Sequence, residues 1–170
     1  MTDATPWLSS EQLRSWMALN AMIETLPAAI DAQLKQEAGL NRFEYLVLAG
    51  LSEAPGRALP MTELAIFATG SMSRLSHAVD RLERKGWVMR RPVAGGGRRV
   101  EAVLTDEGMA TVVAAAPGHV REARRLVIDV LDEEQIAQLD RIARAVVAAS
   151  APEMGALLER HCPPRGDGAA

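Results

Sequence analysis

Residues 61–105 constrain the fold of this 170-residue chain more than any other stretch. Residues 62–68 have the apolar spacing of a short helix, for which Thr62 is the predicted N-cap. Gly70 is predicted to end this helix, because glycine accepts the left-handed backbone conformation that closes one. The stretch therefore opens with a short helix and a tight turn.

A second helix is predicted over residues 71–85. Ser71 is its predicted N-cap, and Lys85 and Gly86 are the cation and the glycine typical of a helix end. One face carries apolar residues at spacings of four and three, namely Leu75, Val79 and Leu82. The other face is polar and cationic, with Ser73, Arg74, His77, Arg81 and Arg84. Such a helix packs by its apolar stripe and presents its cations outward.

Two strand-forming segments follow, at residues 87–91 and 100–104. Three consecutive glycines at residues 95–97 predict a flexible tip between them, from which Arg98 and Arg99 can reach a phosphate or a minor groove. Two helices, a turn and this hairpin make a winged helix-turn-helix. The predicted fold class is mainly α, with a small β-hairpin wing and long N- and C-terminal dimerisation helices.

Positive charge is concentrated in the same stretch. It holds eight Arg and Lys against four Asp and Glu, a net charge of +4 in a chain whose net charge is −3. Because cations displace counterions from DNA phosphates, this segregation indicates double-stranded DNA as a partner. The helix over 71–85 is expected in the major groove. The predicted DNA-contacting residues are Ser71, Ser73, Arg74, His77, Arg81, Arg84, Lys85, Arg98 and Arg99.

Several segments of this chain resemble the MarR-type winged-helix regulators. The matches include residues 79–88 (VDRLERKGWV) and, most specifically, Gly97-Arg98 followed by residues 104–108 (LTDEG). The resemblance covers roughly residues 10–150. It implies a homodimeric transcriptional regulator, expected to be a repressor, on a pseudo-palindromic operator. It also implies a cleft between the dimer arms and the DNA-binding domain that takes a small aromatic or lipophilic acid.

One position departs from the pattern of that family. The family often has an aspartate two residues before the wing-tip arginine, where this chain has Gly96. Such an aspartate would brace the arginine, so a looser wing is expected here. The resemblance carries the minor-groove role to Arg98 and gives no such role to Arg99.

Five segments organise the chain around this domain. They are an N-terminal arm (1–9), a dimerisation helix (10–40), the DNA-binding domain (41–105), C-terminal dimerisation helices (106–150) and a partly disordered tail (151–170). Because low cysteine usage is typical of a reducing compartment, and no apolar run is long enough to span a membrane, the expected location is the cytoplasm.

Helix signals divide these segments further. The first helix, over 10–38, is expected to bend near residues 23–27, because Pro27 removes a hydrogen bond. Asn41 is the predicted cap of a helix over 42–53, and Leu59 is expected to add a strand to the wing sheet. Thr105 and Asp132 are the predicted caps of helices that end near residues 130 and 149, and residues 151–159 are expected to add a turn.

The apolar faces of the first and last helices exceed what the small DNA-binding domain can cover. The last helix has a predicted buried stripe of Ile136, Leu139, Ile142, Ala143 and Val146. Packing against a second copy across a two-fold axis would cover these faces. Two recognition helices would then lie roughly 34 Å apart, one turn of DNA.

A ligand pocket is one hypothesis for the apolar residues of the first two helices, and an ordinary core is the other. The candidate lining residues are Trp16, Met17, Asn20, Met22, Phe43 and Tyr45. Trp16 is the best single candidate, since pockets for small molecules combine aromatic walls with a few polar groups.

Catalytic, metal and redox functions find little support in the sequence. No nucleophile–base pair is recognisable, so no enzyme activity and no cofactor are expected. His161 and Cys162 lack the second pair of ligands that a metal site needs, and Cys162 is expected to be inert rather than peroxide-sensing. Two alternatives stay open: a dimerisation module related to methyltransferases, and a winged-helix adaptor that binds another protein.

Overall fold

The structure, a computed structural model, describes residues 5–93 and 99–161. Within these ranges the chain forms seven α-helices and one three-stranded sheet. The helices are α1 (Ser10–Ala38), α2 (Arg42–Glu53), α3 (Met61–Phe67), α4 (Met72–Arg84), α5 (Asp106–Leu126), α6 (Glu133–Ser150) and α7 (Pro152–His161). The strands are β1 (Ala58–Pro60), β2 (Val88–Pro92) and β3 (Val100–Leu104). The mainly α winged-helix fold class is confirmed.

The long first helix has the bounds that its sequence predicts. It begins with a capping box, in which the Ser9 hydroxyl accepts the N–H of Gln12 at 3.2 Å and the Gln12 side chain accepts the N–H of Ser9 at 2.8 Å. It ends at Gly39, whose φ of 62° is left-handed. The helix continues through Pro27; the bend near residues 23–27 stays a prediction.

The predicted caps of four further helices are confirmed. The side chains of Asn41, Ser71, Thr105 and Asp132 accept a backbone N–H at the starts of α2, α4, α5 and α6. Each signal is local, because the cap and the N–H that it accepts lie three residues apart. Such short-range patterns place helix starts even where tertiary packing is unknown.

The predicted limits of α3 are wrong at both ends. Thr62 lies inside the helix, and Pro60 precedes its first residue without a side-chain cap. The proline ring offers no acceptor for the N–H groups of the first turn, which therefore have no side-chain cap from the N-cap residue. At the other end Thr69, not Gly70, is left-handed, with φ 54°. The N–H groups of Thr69 and Gly70 donate to Ile66 and Ala65, which closes the helix one residue earlier than predicted.

The C-terminal helices also differ from the prediction. The α-helix α5 runs through Pro117 but ends at Leu126, and residues 128–130 form a short 3₁₀ turn instead of its last turn. A turn is predicted over residues 151–159, whereas residues 152–161 form the helix α7, which packs on α6 and contacts α3. Cys162 lies outside the described residues.

The sheet is antiparallel, with strand order β1-β3-β2. Leu59 pairs with Ala102 of β3, so the predicted extra strand is confirmed. On the other side of β3, Arg90 of β2 also pairs with Ala102. The strand β2 begins at Val88, one residue later than predicted.

The hydrophobic core lies mainly within the DNA-binding domain. It is built from α2, α3, α4 and the sheet, closed by one end of α1 and the middle of α5. Its most completely buried large side chains are Leu34, Leu40, Leu48, Leu51, Leu64, Leu75, Leu82, Val47 and Val79. This core fixes α4, whose outer face is the candidate DNA surface.

Apolar side chains of α1 and α6, here called the arms, are by contrast exposed in a single chain. The predicted stripe of α6 is not buried: Ile142 is 61% exposed, and Ile136 and Leu139 are partly exposed. On α1, Trp16 is 53% and Met17 64% exposed. The covering surface expected for the stripe of α6 belongs to a second copy, so its burial stays a prediction. Among the described residues, α6 packs on α7, and Leu139 and Ile142 line a cleft with α1 and the end of α5. None of the described helices is both long enough and apolar enough to cross a lipid bilayer.

Candidate nucleic-acid interface

The recognition helix α4 is anchored on one face and open on the other. Leu75, Ala78, Val79 and Leu82 are fully buried. Ser71 caps the first turn, where its hydroxyl accepts the N–H of Arg74 at 3.2 Å. The predicted contact residues of this helix are all exposed: Ser71, Ser73, Arg74, His77, Arg81, Arg84 and Lys85. The helix therefore presents a polar, cationic surface on a rigid base.

Arg74 is held over an aromatic ring of the preceding helix. Its guanidinium carbon lies 4.2 Å from the centre of the Phe43 ring, and Phe43 is itself buried. This cation–π contact holds the guanidinium beside the first turns of α4. An arginine near the start of a recognition helix is a candidate for a bidentate contact to guanine.

Arg81 is held differently, by a buried carboxylate. Its Nε donates to Glu44 Oε1 at 2.7 Å, and Glu44 is 5% exposed. The other carboxylate oxygen, Oε2, accepts the N–H of Asn41 at 3.2 Å in the capping box of α2. Glu44 thus links the start of α2 to the last turns of the recognition helix.

Arg90 joins the wing to the same helix. Its guanidinium forms ion pairs with Asp80, at 2.8 Å, and with Glu83, and it donates to the carbonyl oxygen of Ser76 at 3.0 Å. The backbone N–H of Arg90 also donates to Glu83 at 2.8 Å. On the next position of β2, Arg91 pairs with Glu101 at 2.5 Å. These ion pairs join β2 to α4 and to β3; Arg90 is partly buried in them, whereas Arg91 stays exposed.

The last turn of α4 carries two further exposed cations. Arg84 donates from Nε to the carbonyl oxygen of Asp80 at 3.3 Å, and Lys85 lies 4.4 Å from the centre of the Trp87 ring. Gly86 then reverses the chain with φ 75°, as predicted for the glycine after the helix. Both cations keep an exposed head near the wing.

The wing is described only up to its tip. The N–H of Val93 donates to the carbonyl oxygen of Arg99 at 2.9 Å, which extends the hairpin beyond its two strands. Arg99 is exposed. Arg98, the predicted minor-groove residue, lies in residues 94–98, outside the described residues.

Two of the predicted pocket residues, Met22 and Phe43, line different clefts of the described chain. Trp16, Met17 and Asn20 line neither of the two main clefts. Phe43 lines a polar cleft of about 660 Å³ between α1, the start of α2 and α4. Its polar walls include Asp31, Lys35, Arg42, Arg74 and Arg81. An apolar cleft of about 520 Å³ lies between α1, the end of α5 and α6.

Tyr45, the remaining pocket candidate, is buried against α5. Its ring centre lies 4.5 Å from that of His119, and burial raises its pKa. Burial, and secondarily the Arg42 cation, lower the pKa of His119. The Nδ1 atom of His119 and the side-chain amide of Gln33 are buried without a hydrogen-bond partner among the described residues. Tyr45 is therefore part of an inter-helix junction.

The arrangement of a capped, cation-faced helix beside a β wing matches known proteins over most of the chain. The structure of Sco3205 of Streptomyces coelicolor, a MarR family transcriptional regulator solved in complex with DNA, superposes with a TM-score of 0.84. It is 40% identical, and the match covers 89% of this chain and 94% of that one. The chain belongs to the MarR family.

A family model and two curated relatives agree with this membership. The MarR family model matches residues 40–100. The transcriptional regulator PecS of Dickeya dadantii is 36% identical over 44% of this chain, and the transcriptional repressor YetL of Bacillus subtilis is 30% identical over 57%. The matches span about half the length of these two relatives, 47% and 58%. This MarR-family protein is a transcriptional regulator with a DNA-binding winged helix.

Two parts of this interface were missed by the sequence reasoning. Glu44 was assigned no role at the DNA surface, although a glutamate three residues after Asn41 is the capping-box pattern. The partners of Arg90 were also missed, since Asp80 and Glu83 entered only the charge count. An i, i+3 pair of acids on one helix face was the available signal for a cation between them.

Proposed function

We propose that this MarR-family regulator is a homodimeric repressor that binds a pseudo-palindromic DNA site through α4 and its wing. One observation carries the proposal: α4 buries a complete apolar stripe while every predicted contact residue on it is exposed. A helix held in this way can enter the major groove without rearranging its own packing. The expected first contacts are Ser73, Arg74 and His77 with bases, and Arg84 and Lys85 with phosphates.

Exposed apolar side chains on the arms support the homodimer. Large residues on α1, α5 and α6 face solvent in the single chain, including Leu13, Trp16, Met17, Val113, Val120, Ile142 and Val146. Apolar surface of this extent on a water-exposed chain marks an interaction site. A second copy offers the same surface, and a two-fold axis lets each copy cover the other. The two α4 helices would then face successive major grooves.

Repression with release by a small acid is the mode of control that the polar cleft supports. Arg42 and Arg74 provide cations there, and Phe43 provides an aromatic wall, which together suit an aromatic or lipophilic carboxylate. The cleft lies between α1 and α4, so an occupant can favour an arm–domain arrangement in which the helices no longer fit successive grooves. The relative YetL is named a repressor. The proposed location is the cytoplasm, because a regulator of this kind acts where its DNA lies.

Fluorescence anisotropy tests the proposal directly. The purified protein is titrated against DNA from upstream of its own gene and against a scrambled duplex, over a salt series. Selective binding whose affinity falls steeply with salt is the expected result, because phosphate contacts release counterions. Equal and weak binding of both duplexes, followed by a selection from random duplexes that enriches no sequence, would exclude the DNA-reading function.

Control by a ligand needs its own measurement. Aromatic carboxylic acids are screened for release of the bound duplex, and the affinity of each hit is then measured for the free and the DNA-bound protein. Tighter binding to the free protein is expected, since a ligand shifts an equilibrium only by its differential affinity. Equal affinity for both forms would exclude release by population shift.

A further inference from the structure

We infer that Glu44 keeps the positive charge of Arg81 away from DNA phosphates, so that Arg81 is a positioning residue of the recognition helix and Glu44 suppresses non-specific binding. The inference rests on the DNA interface proposed above and changes the role of one residue in it. The sequence alone assigns Arg81 to the phosphates. The geometry around Glu44 assigns it to the protein.

The first step concerns the carboxylate. Glu44 is 5% exposed, and both of its oxygens are engaged: Oε1 by Arg81 at 2.7 Å and Oε2 by the N–H of Asn41 at 3.2 Å. Taking Arg81 away would leave a buried negative charge without its cation, and an uncompensated buried charge is strongly unfavourable. A DNA phosphate must therefore compete with Glu44 for Arg81, and water does not replace Arg81 beside the buried carboxylate.

The second step concerns which edge of the guanidinium is used. Arg81 donates Nε, an in-plane donor, to Glu44. The guanidinium carbon of Arg74 lies 4.2 Å from the centre of the Phe43 ring, a contact that does not match its charge with an acid. Arg84 is bound to the main-chain oxygen of Asp80, which carries no net charge. Of these three arginines of α4, only Arg81 has its charge matched by a buried acid.

The third step concerns what the pair does to selectivity. Each cation that reaches a phosphate steepens the dependence of log affinity on log salt by about 0.9 and strengthens binding to every sequence alike. Phosphate contacts position a protein but do not specify bases. By neutralising Arg81, Glu44 removes one such contact, so sequence-independent affinity is lower while the base-reading residues are unchanged.

The experiment compares Arg81→Gln, Glu44→Gln and the double variant with the wild type on a scrambled duplex. Glutamine at position 44 still suits the capping box of α2. The double variant has the wild-type net charge, and Arg84→Gln is the matched control for loss of a phosphate contact. Salt-dependent anisotropy gives the slope for each protein, and thermal unfolding confirms that each is folded.

The expected results separate the two roles. Glu44→Gln should steepen the slope by about 0.9, so that its affinity relative to wild type rises about threefold between about 200 and 50 mM salt. Arg81→Gln and the double variant should keep the wild-type slope, and Arg84→Gln should flatten it by about 0.9. Selectivity for the cognate over the scrambled duplex should fall in Glu44→Gln and return in the double variant.

Two results would overturn the inference. If Arg81→Gln flattens the slope as much as Arg84→Gln does, Arg81 leaves Glu44 for a phosphate in the complex. If Glu44→Gln and the double variant both keep the wild-type slope, Glu44 does not keep the charge of Arg81 away from the DNA phosphates. A wild type that binds no duplex even at low salt would instead contradict the proposed function, and is distinct from either pattern.

Discussion

The hydroxyl of Thr105 donates a 2.7 Å hydrogen bond to the carbonyl oxygen of Gly86. The same hydroxyl accepts the N–H of Gly108 at 3.0 Å as the cap of α5. Gly108 in turn lies so near the main chain of Trp87 that a Cβ there would be 2.1 Å from its carbonyl oxygen. The exit of the recognition helix α4 and the start of α5 are therefore one connected structure.

Removal of this hydroxyl should destabilise the domain. For Thr105→Val we expect the free energy of unfolding to fall by about 1–2 kcal/mol, because a helix cap is lost and a carbonyl partner with it. Urea unfolding measures the change. The control is Thr111→Val, since the Thr111 hydroxyl donates only to Glu107 within α5. Equal losses in the two variants would show that the link to Gly86 contributes nothing.

The anchor of the recognition helix should dominate its stability. Leu75 is 0% exposed, so Leu75→Ala should cost about 2–5 kcal/mol through lost burial and the cavity left behind. Met72 lies on the same helix and is 47% exposed, so Met72→Ala should cost much less. Chemical denaturation of both variants checks this. A small loss at Leu75 would mean that α4 is not held by its apolar stripe.

A charge in the apolar face of α6 should prevent dimerisation. Ile142→Glu is expected to shift the protein from dimer to monomer in sedimentation velocity, because it would bury an unpaired carboxylate between two copies. Ala137 is exposed and lies on the opposite side of α6, so Ala137→Glu should remain dimeric. A dimer that tolerates glutamate at position 142 would place the interface elsewhere.

The wing arginine should contribute to DNA affinity and not to folding. For Arg98→Ala we expect weaker binding of the cognate duplex and an unchanged thermal unfolding midpoint, since the sequence places Arg98 at a glycine-rich tip. Arg141→Ala, on the exposed surface of α6, removes the same charge outside the residues predicted to contact DNA and should bind as the wild type does. Normal affinity of Arg98→Ala would remove the wing tip from the interface.

Acid should destabilise the protein through His119. Its pKa is lowered by burial, so from that value up to the ordinary pKa of about 6.5 the unfolded chain binds more protons than the folded one. The stability contributed by neutral His119 is therefore complete above about pH 6.5 and declines as pH falls through this window.

Replacement of the imidazole should remove that part of the pH dependence. His119→Phe keeps an aromatic ring beside Tyr45, and its unfolding free energy should fall less than that of wild type between about pH 7 and 5. Urea unfolding at several pH values gives both curves. His77 is exposed on α4, and His77→Gln should follow the wild type. Parallel curves for His119→Phe and wild type would exclude the junction as a source of acid sensitivity.

Sequence reasoning succeeded where the signal is local. Caps such as Ser71 and Asn41, the glycine at position 86 and the stripe of α4 all depend on residues a few positions apart. It failed at the ends of α3. Thr62 and Gly70 are local signals for a cap and a helix end, but the helix begins directly after Pro60 and is closed at Thr69 by equally local features.

Sequence reasoning could not predict pairs of residues that are far apart in the chain. Glu44 and Arg81 are 37 positions apart, and no periodicity connects them. Their pairing follows from how α2 crosses α4 in the folded domain. The apolar face of α6 has a related limit: an apolar stripe indicates burial but not whether the covering surface belongs to the same chain, so its cover by a second copy stays a prediction.

The proline inside α1 has a consequence for the polar cleft. Pro27 has no N–H, so the carbonyl oxygen of Ile23, one helical turn earlier, lacks its usual donor. Both residues line the cleft. A main-chain oxygen without its helical donor thus belongs to a residue that lines the same cleft as Asp31 and Arg42, and alanine scanning cannot delete it. Only Pro27→Ala, by restoring an amide, would occupy that acceptor and show how much of the cleft's chemistry comes from the backbone.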